Sequence, residues 1–476
     1  FISKTAAFVF HLNSSSLSSK LSWDEIKKTT WFQEAYNDSG TDSFAKKLMD
    51  NPDASGVDVK SDFVFFVNKR GRGGYSVFEG SVKDAAAFEA LVKKMSKQSA
   101  TQKDGDWNVI TGDNNTVAIW NKSKFAVLND MPIGDMHIWI NSGSLYTDMA
   151  GMLSMMKVGS LLEGNVSAGT INFEDGKISG KMKQFFGKEM EKAMDKWNFK
   201  NVDASVLNRI PSQDVIGVMA MNMDPEGLRE FMKAVGVDGF VNAGLAKMEM
   251  TMDEILSATK GQFVFAVSDL KMKDTTFTMP AYGDEQASTY TTRQPDMNFL
   301  FATTVNNKAS FDKVMNTFTR EMGKAPFAYQ LNNDWFVAGN RPETVNAFTN
   351  GNANNKHAFT DKISGHPFGF YLDLQRLLKT DFADAPAAKG YQTESAAFWK
   401  DVTMIANEYK NGVATSELVI NLVDNKTNSL KQLNQYIERM NAVKKANKVA
   451  YDQNDVNTDS LPMTEPPPPA EANPAQ

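Results

Sequence analysis

Four histidines, His11, His137, His357 and His366, and no cysteine are what this chain offers to nucleophilic and metal chemistry. The missing cysteines remove disulfides, thiolate nucleophiles and cysteine-based zinc sites together. His11 and His137 lie on apolar, strand-like segments far apart in sequence, and no His-Glu-x-x-His spacing occurs, so each histidine reads as structural or exposed. A Ser-His-Asp triad assembles through space and needs no fixed spacing, but no Gly-x-Ser-x-Gly elbow supports one. Asn51 to Asp62 (NPDASGVDVKSD) puts oxygen-bearing Asn51, Asp53 and Ser55 at positions 1, 3 and 5 of a calcium-type loop, with Gly56 at 6. Asp58 stands where such a loop buries an apolar residue, Asp62 replaces the bidentate Glu, and a strand follows. The segment therefore reads as a turn feeding the strand at Phe63. Lys69 to Gly74 (KRGRGG) has the donors to cradle an anion but opens no helix, and reads as a glycine-rich hairpin loop. Gly176 to Lys181 (GKISGK) is no phosphate loop, because its glycines stand too close together and Met182 occupies the place of the magnesium-binding hydroxyl. These readings assign no catalytic residue, no metal ligand and no cofactor.

Three features bear on binding. Methionine is abundant (26 residues), with runs at Met149 to Met156 and Met248 to Met252 that suit either a core or an adaptable apolar groove. Trp23 and Trp31, eight apart, are expected near one face of a helix, packed on a sheet. The stretch from Lys271 to Asp296 is an insertion relative to the first half, and its Pro280, Tyr282, Tyr290 and Arg293 are candidates for a functional or disordered loop.

The elements that would position these residues recur. Ser61 to Val67 (SDFVFFV) is echoed by Gly261 to Val267 (GQFVFAV), and Tyr75 to Met95 aligns without a gap with Asn298 to Phe318, pairing Phe78 with Phe301 and Phe88 with Phe311. Both read as strand, then helix, with Lys83 and Asp84 or Asn306 and Asn307 at the switch, where an Asn or Asp side chain accepts from free helical amides. A smaller unit, an apolar run ending on a helix cap, appears at Phe8 to Leu17, Met136 to Leu145, Phe368 to Leu377 and, more loosely, Val215 to Leu228 with Asp224 and Pro225. Each half is expected to close on a hairpin, at Asp175-Gly176 and at Asp424-Asn425. The expected fold is α+β: two tandem repeats of a mixed unit, with antiparallel sheets and helices mainly on one face. The boundaries are 1–205 for the N-terminal repeat, 206–445 for the C-terminal repeat and 446–476 for a disordered, proline-rich tail.

The net charge of −6 is modest for 476 residues, and the 51 Lys and Arg are dispersed, so neither nucleic acid nor an anionic membrane surface is implied as a partner. No run approaches the roughly 18 apolar residues that a spanning helix needs. Residue 1 is Phe, and Ala6 to Leu12 is already an apolar strand, so a processed signal segment ahead of it is expected.

Leu17 to Phe32 (LSSKLSWDEIKKTTWF), Asn51 to Asp58 (NPDASGVD), Gly71 to Glu79 (GRGGYSVFE) and Met252 to Phe263 (MDEILSATKGQF) together resemble a Bacteroidota family known only as domain of unknown function forty-eight thirty-six. The resemblance spans most of the chain except the tail. It implies an exported cell-envelope protein, periplasmic or outer-membrane, carried on a lipid anchor attached to a cysteine upstream of Phe1. It carries over no activity and no site residue. The expectation is a non-enzymatic envelope lipoprotein that binds a small-molecule ligand or protein partner, or supports envelope assembly. Its working site would be a cleft between the halves or the aromatic face of the sheets. The alternative is a hydrolase with its site in that cleft.

Overall fold

The computed structural model describes residues 6–38, 40, 42–70, 73–95, 101–104, 107–111, 117–120, 136–141, 162–195, 199–246, 249–279, 288–323, 327–351, 355–382 and 386–458. Its strands in chain order are β1 (Ala6–Leu12), β2 (Phe63–Arg70), β3 (Gly73–Glu79), β4 (Thr101–Asp104), β5 (Trp107–Thr111), β6 (Val117–Trp120), β7 (Met136–Asn141), β8 (Val166–Glu174) and β9 (Lys177–Phe185). They continue as β10 (Val215–Asn222), β11 (Thr259–Met279), β12 (Ser288–Val305), β13 (Ala328–Leu331), β14 (Trp335–Gly339), β15 (Phe368–Leu372), β16 (Trp399–Ala406) and β17 (Val413–Leu422). Fourteen strands form one sheet in the order β13-β14-β12-β11-β10-β15-β16-β17-β9-β8-β7-β1-β2-β3, while β4-β5-β6 form a separate three-stranded sheet. All the named pairings are antiparallel, and helices punctuate the strands, so the class is α+β.

Strand-to-helix switches follow local capping chemistry. After β1, Asn13 accepts from the Ser16 amide at 2.9 Å; after β10, Asp224 accepts from Glu226 with Pro225 in the first turn; after β15, Asp373 accepts from Arg376 at 2.8 Å. Asp84 accepts from the amides of Ala86 and Ala87, and Asn307 from that of Ser310. Each such cap is worth about 1 kcal/mol to its helix. Ser22 with Glu25, and Thr251 with Glu254, close reciprocal capping boxes.

The core lies on the face of the sheet formed by Val218, Ala220, Val264, Ala266, Leu300, Ala302 and Val337, against Val206, Leu207, Ile210, Val345, Phe348 and Ile363. On the opposite face, Phe301, Phe336 and Ala338 meet Ala258, Phe311 and Met315 of the helices Met252–Ala258 and Lys308–Met322. Helices thus pack on both faces rather than mainly on one. The cause is visible at Trp335 and Phe336, whose successive side chains enter opposite cores.

Other departures are equally physical. The expected boundary between 205 and 206 falls inside the helix Ala204–Leu207, which is capped by Asp203, and Val206, Leu207 and Ile210 are buried. Asp175-Gly176 does join β8 to β9, but of the pair only Gly176 has a positive φ, +68°. Its turn packs on Asn425, with the Gly176 amide donating to Thr427. Asp424-Asn425 closes no hairpin. The Asp424 carboxylate caps the amides of Lys426 and Thr427, and the chain turns into the helix Ser429–Thr458. The hairpin of the second half is β16-β17, turning at Asn411-Gly412, both with positive φ (51° and 77°), the type I′ geometry that Asn-Gly favours. That last helix runs to Thr458, past the expected start of the tail at 446; residues 459–476 lie outside the described ones.

The C-terminal helix also ties the chain ends together. Lys431 meets Glu25 at 2.8 Å, Glu438 accepts from the Thr30 amide at 2.9 Å, and Asn441 and Lys445 both reach Glu34. Lys431 and the Ser22 amide hold the Glu25 carboxyl down at about 2. Trp23 and Trp31 sit on two separate helices, Trp23–Lys27 and Thr30–Asp38, flanking buried Phe32. Trp31 donates to Asn434 of the C-terminal helix, so these indoles fasten helices together rather than pack on the sheet.

Candidate functional site

Period-two alternation gives the large sheet two unlike faces. Cross-strand register lines up three rows over β12, β11, β10, β15, β16, β17 and β9. The first runs Phe299, Val267, Gly217, Leu372, Val402, Ile420, Ile178; the second Phe301, Phe265, Met219, Phe370, Met404, Leu418, Gly180; the third Thr303, Phe263, Met221, Phe368, Ala406, Ser416, Met182. None of these positions is ionisable. The opposite side chains of the same strands, such as Val264, Val218, Tyr371 and Thr403, are buried, whereas Phe299, Phe265, Met219, Met404 and Leu418 remain 36–39 % exposed. At the β12 end Phe301 lies under the helices Met252–Ala258 and Lys308–Met322 and Thr303 is buried, and five strand-to-strand steps of ~4.8 Å put Phe299 on β12 about 24 Å from Leu418 on β17. The same cross-strand register runs on beyond β9 through Ile171, Met136, Leu12 and Phe63, and through Gly169, Ile138, Phe10, Phe65 and Phe78, of which Gly169 is buried. Contiguous apolar surface on this scale marks a place of contact.

This is the aromatic face that the sequence offers as one possible site. At the place expected for the other, a cleft between the halves, β9 and β17 join in an unbroken ladder from Val413↔Phe185 to Asn421↔Lys177, so the sheet itself has no gap there. What sequence reasoning missed was which face stays open. The signal was there in runs such as Phe263 to Val267 and Phe368 to Leu372, apolar in both phases, a pattern that demands cover on both sides.

Titratable groups gather on the other face. Asp401, 4 % exposed, is held by Lys362 at 3.2 and 3.3 Å and by the Asn421 amide at 2.6 Å, and the Lys362 ammonium also lies over the Tyr371 ring. Burial pushes the Tyr371 phenol far up, with the charges of Asp373 and Asp401 adding to it. No second carboxylate or histidine hydrogen-bonds Asp401, so this cluster anchors the helix Thr360–Ile363 to the sheet and is not set up as an acid–base pair.

The histidines divide. His357 is buried, stacked on Phe359, with Nε2 at 3.1 Å from the Ile210 carbonyl; burial holds its imidazole below the usual value. His366 Nδ1 meets Asn407 at 2.9 Å. His11 Nε2 lies 3.2 Å from Asp62. His11 and His137, distant in sequence, are direct Cα partners across β1 and β7, a juxtaposition that only the tertiary register creates. Among the described residues no group of three or more His, Asp or Glu is arranged to hold a metal ion, and no helix is long and apolar enough to cross a membrane. In the calcium-like segment Asn51 caps the turn Pro52–Ser55 and Asp53 pairs with Lys83 at 3.1 Å. Gly56, at φ +76°, packs so tightly on Asp84 and Phe88 that a Cβ there would lie 2.3 Å from a carbonyl. Lys69 and Arg70 end β2 and pair with Gly74 and Gly73 of β3; Gly71 and Arg72 lie outside the described residues. Gly176 to Lys181 enters β9. Met250 and Met252 are buried core, Met248 lies outside the described residues, and so does the run Met149 to Met156.

The insertion from Lys271 to Asp296 is not a loop. It extends β11 and β12 as a ribbon paired from Lys271↔Asp296 to Met279↔Ser288, with Phe277 stacked on Tyr290 at 5.5 Å and Arg293 paired with Asp381 at 3.2 Å. Pro280 and Tyr282 lie outside the described residues. At its base Asp269, with φ +54°, makes the register shift, fixed by Ser212 and Ser268 hydroxyls at 2.8 Å. A shallow groove of about 490 Å³ lies between the helices Leu374–Lys379 and Pro386–Phe398, lined by Lys379, Asp381 and Lys389.

No curated protein and no solved structure matches the chain. Residues 2–133, which hold β1 to β6 and the helices between them, match the family model described as "Domain of unknown function (DUF4836)".

Proposed function

We propose that this is a non-enzymatic binding protein, built by tandem duplication of one α+β unit and exported to the cell envelope on a lipid anchor, whose working surface is the uncharged open face of the sheet. The observation that carries the reading is the exposed row Phe265, Met219, Met404 and Leu418 with Phe299 beside it. An apolar surface without titratable groups binds; it has nothing with which to transfer protons. Among the described residues the buried carboxylates are Glu79 and Asp401, and Asp401, the one beside this sheet's central strands, is neutralised by Lys362.

The duplication is supported by register. From β2 to β9 the partners run Val67, Phe8, Ile140, Ser167, Gln184; from β11 to β17 they run Val267, Gly217, Leu372, Val402, Ile420. A register shift falls between Ala6 and Phe8 in one set and between Val215 and Gly217 in the other. Lys181 lies three residues before Gln184, Glu417 lies three before Ile420, and the two are partners at the middle of the seam, 3.4 Å apart. The three-stranded β4-β5-β6 sheet in one half and β13-β14 in the other are where the units diverge.

The test is recovery of the full-length protein from fractionated cells, followed by mass spectrometry of what it carries. The wild type is expected in the envelope fraction with a bound component, and a folded Met219→Lys/Met404→Lys variant without it. Equal loading of both, or loss of a hydrolytic activity on Asp401→Asn with the face intact, defeats the reading.

A further inference from the structure

We infer that the open face binds the acyl chain of an individual lipid. The inference rests on the binding reading above and names the ligand class. Over the three rows the side chains supply two hydroxyls, Thr303 and Ser416, and Thr303 is already bonded to Thr259 at 2.7 Å. The backbone amides and carbonyls of these strands are engaged in their own ladders. A peptide loop or strand laid flat here would bury its own amides and carbonyls with nothing to receive them, at a cost that apolar contact would have to overcome. A typical protein interface also brings about one hydrogen bond per 100–200 Å² and a charged rim, neither of which this face can answer. Saturated hydrocarbon makes no such demand.

Shape agrees with chemistry. One leaflet of a bilayer, half of the ~30 Å hydrocarbon thickness, gives an acyl chain a reach of about 15 Å. The exposed side chains from Phe299 on β12 through Phe265, Met219 and Met404 to Leu418 on β17 span about 24 Å, five strand spacings, so a chain of that reach lies along them without leaving apolar surface. Met219, Met221, Met404 and Met182 are unbranched and polarizable, able to follow a chain that has no single conformation. Phe265 and Phe299 present exposed rings at one end of the rows.

Because no ionisable residue faces the chain, the carboxyl group of a fatty acid adds nothing that the face itself can use. A fatty acid and the alcohol of equal length are therefore expected to bind alike. The experiment titrates the intact protein with a fluorescent eighteen-carbon fatty acid and displaces it with the unlabelled acid or alcohol. Met219→Lys and Met404→Lys are expected to weaken binding roughly tenfold or more, since each sets an ammonium in hydrocarbon; both residues are already partly exposed, so the fold tolerates them. Val423→Lys, exposed just beyond β17, is the control and is expected to bind as the wild type. Uptake with equal displacement by acid and alcohol, lost in the two face variants, supports the inference. Three results overturn it: no uptake by any variant while sedimentation shows a dimer that Met219→Lys dissociates, which leaves a binding face for a second copy; adsorption to neutral phospholipid vesicles without uptake of dispersed chains; or no interaction of any kind, which removes the binding reading as well.

Discussion

Cutting the Lys362–Asp401 pair tests how the helix Thr360–Ile363 is fastened to the sheet. Asp401 sits on β16 at 4 % exposure and receives two contacts from Lys362 and one from Asn421. Lys362→Met leaves a carboxylate with one neutral donor in a nearly dry place. Breaking a fully buried pair costs about 3–5 kcal/mol. Here the lysine side chain is 38 % exposed, so water reaches one side of the pair, and about 2–3 kcal/mol is the expected loss. Asp401→Asn keeps a carbonyl oxygen for Asn421 and frees Lys362 to swing into solvent, for a loss of about 1–2 kcal/mol. In the double variant no unpaired charge remains, so its loss falls short of the sum by about 1–2 kcal/mol. Urea unfolding followed by circular dichroism reads all four proteins, provided the m-values agree. Strict additivity, or a Lys362→Met cost below about 0.5 kcal/mol, would refute the account, because the pair would then behave as a solvated surface bridge.

Three further outcomes are expected. Burial keeps His357 neutral at pH values where the unfolded chain's imidazole is already protonated, so the unfolded state binds the extra proton, and stability falls as pH drops below the ordinary value of 6.5; His357→Phe, which keeps a ring on Phe359, should flatten that part of a melting-temperature profile, and an unchanged slope would exclude His357 as its source. Gly412→Ala, forcing a Cβ onto φ +77° in the β16-β17 turn, should cost about 1–2 kcal/mol, while Asn411→Gly should be nearly silent in the same unfolding assay. Gly176→Ala should cost more than Gly412→Ala, because its Cβ would come 2.3 Å from the Asn425 Cα and displace the loop ahead of the C-terminal helix; the reverse order would show that this loop yields freely.

Where chain neighbours decide the outcome, the sequence was informative. Asn13, Asp84, Asp224, Asn307 and Asp373 each sit at the end of an apolar run and each caps the helix that follows, because an Asx side chain reaches only amides two or three residues on. The same local rule misleads at Asp424-Asn425. There the Asp side chain captures its own downstream amides and starts a turn into a helix, leaving the hairpin to Asn411-Gly412. The ribbon from Lys271 to Asp296 was hidden by its polarity: Thr275, Thr276, Thr278, Thr289, Thr291 and Thr292 favour strand by β-branching, but the few large apolar residues set among them, Phe277, Met279 and Tyr290, stay exposed and mark no buried face. The candidate site was half legible. Apolar alternation in both phases announces a sheet with two greasy faces, but only the third dimension decides that helices cover Val264 and Leu300 while Phe265 and Met219 stay open. The facing of His11 and His137 likewise depends on strands joined across more than a hundred residues.

A sheet this wide has two routes to unwanted association, and the architecture treats them differently. Among the described strands its outermost are β3 and the four-residue β13, while β9 and β17 pair with each other along a central seam. Short edges and paired seams suppress strand addition. At the seam's centre the partners are Lys181 and Glu417, which attract; two copies of either strand brought together in the same register would set like charges opposite one another. Brevity thus protects β13, and pairing and charge protect β9 and β17, but the open face has none of these devices. No lysine interrupts its rows and no bulge crosses their middle, from Val267 and Gly217 to Ile178. An unguarded face beside a guarded β13 and a paired β9-β17 is what the proposed binding of an apolar ligand requires, since charges that would prevent aggregation there would also expel such a ligand.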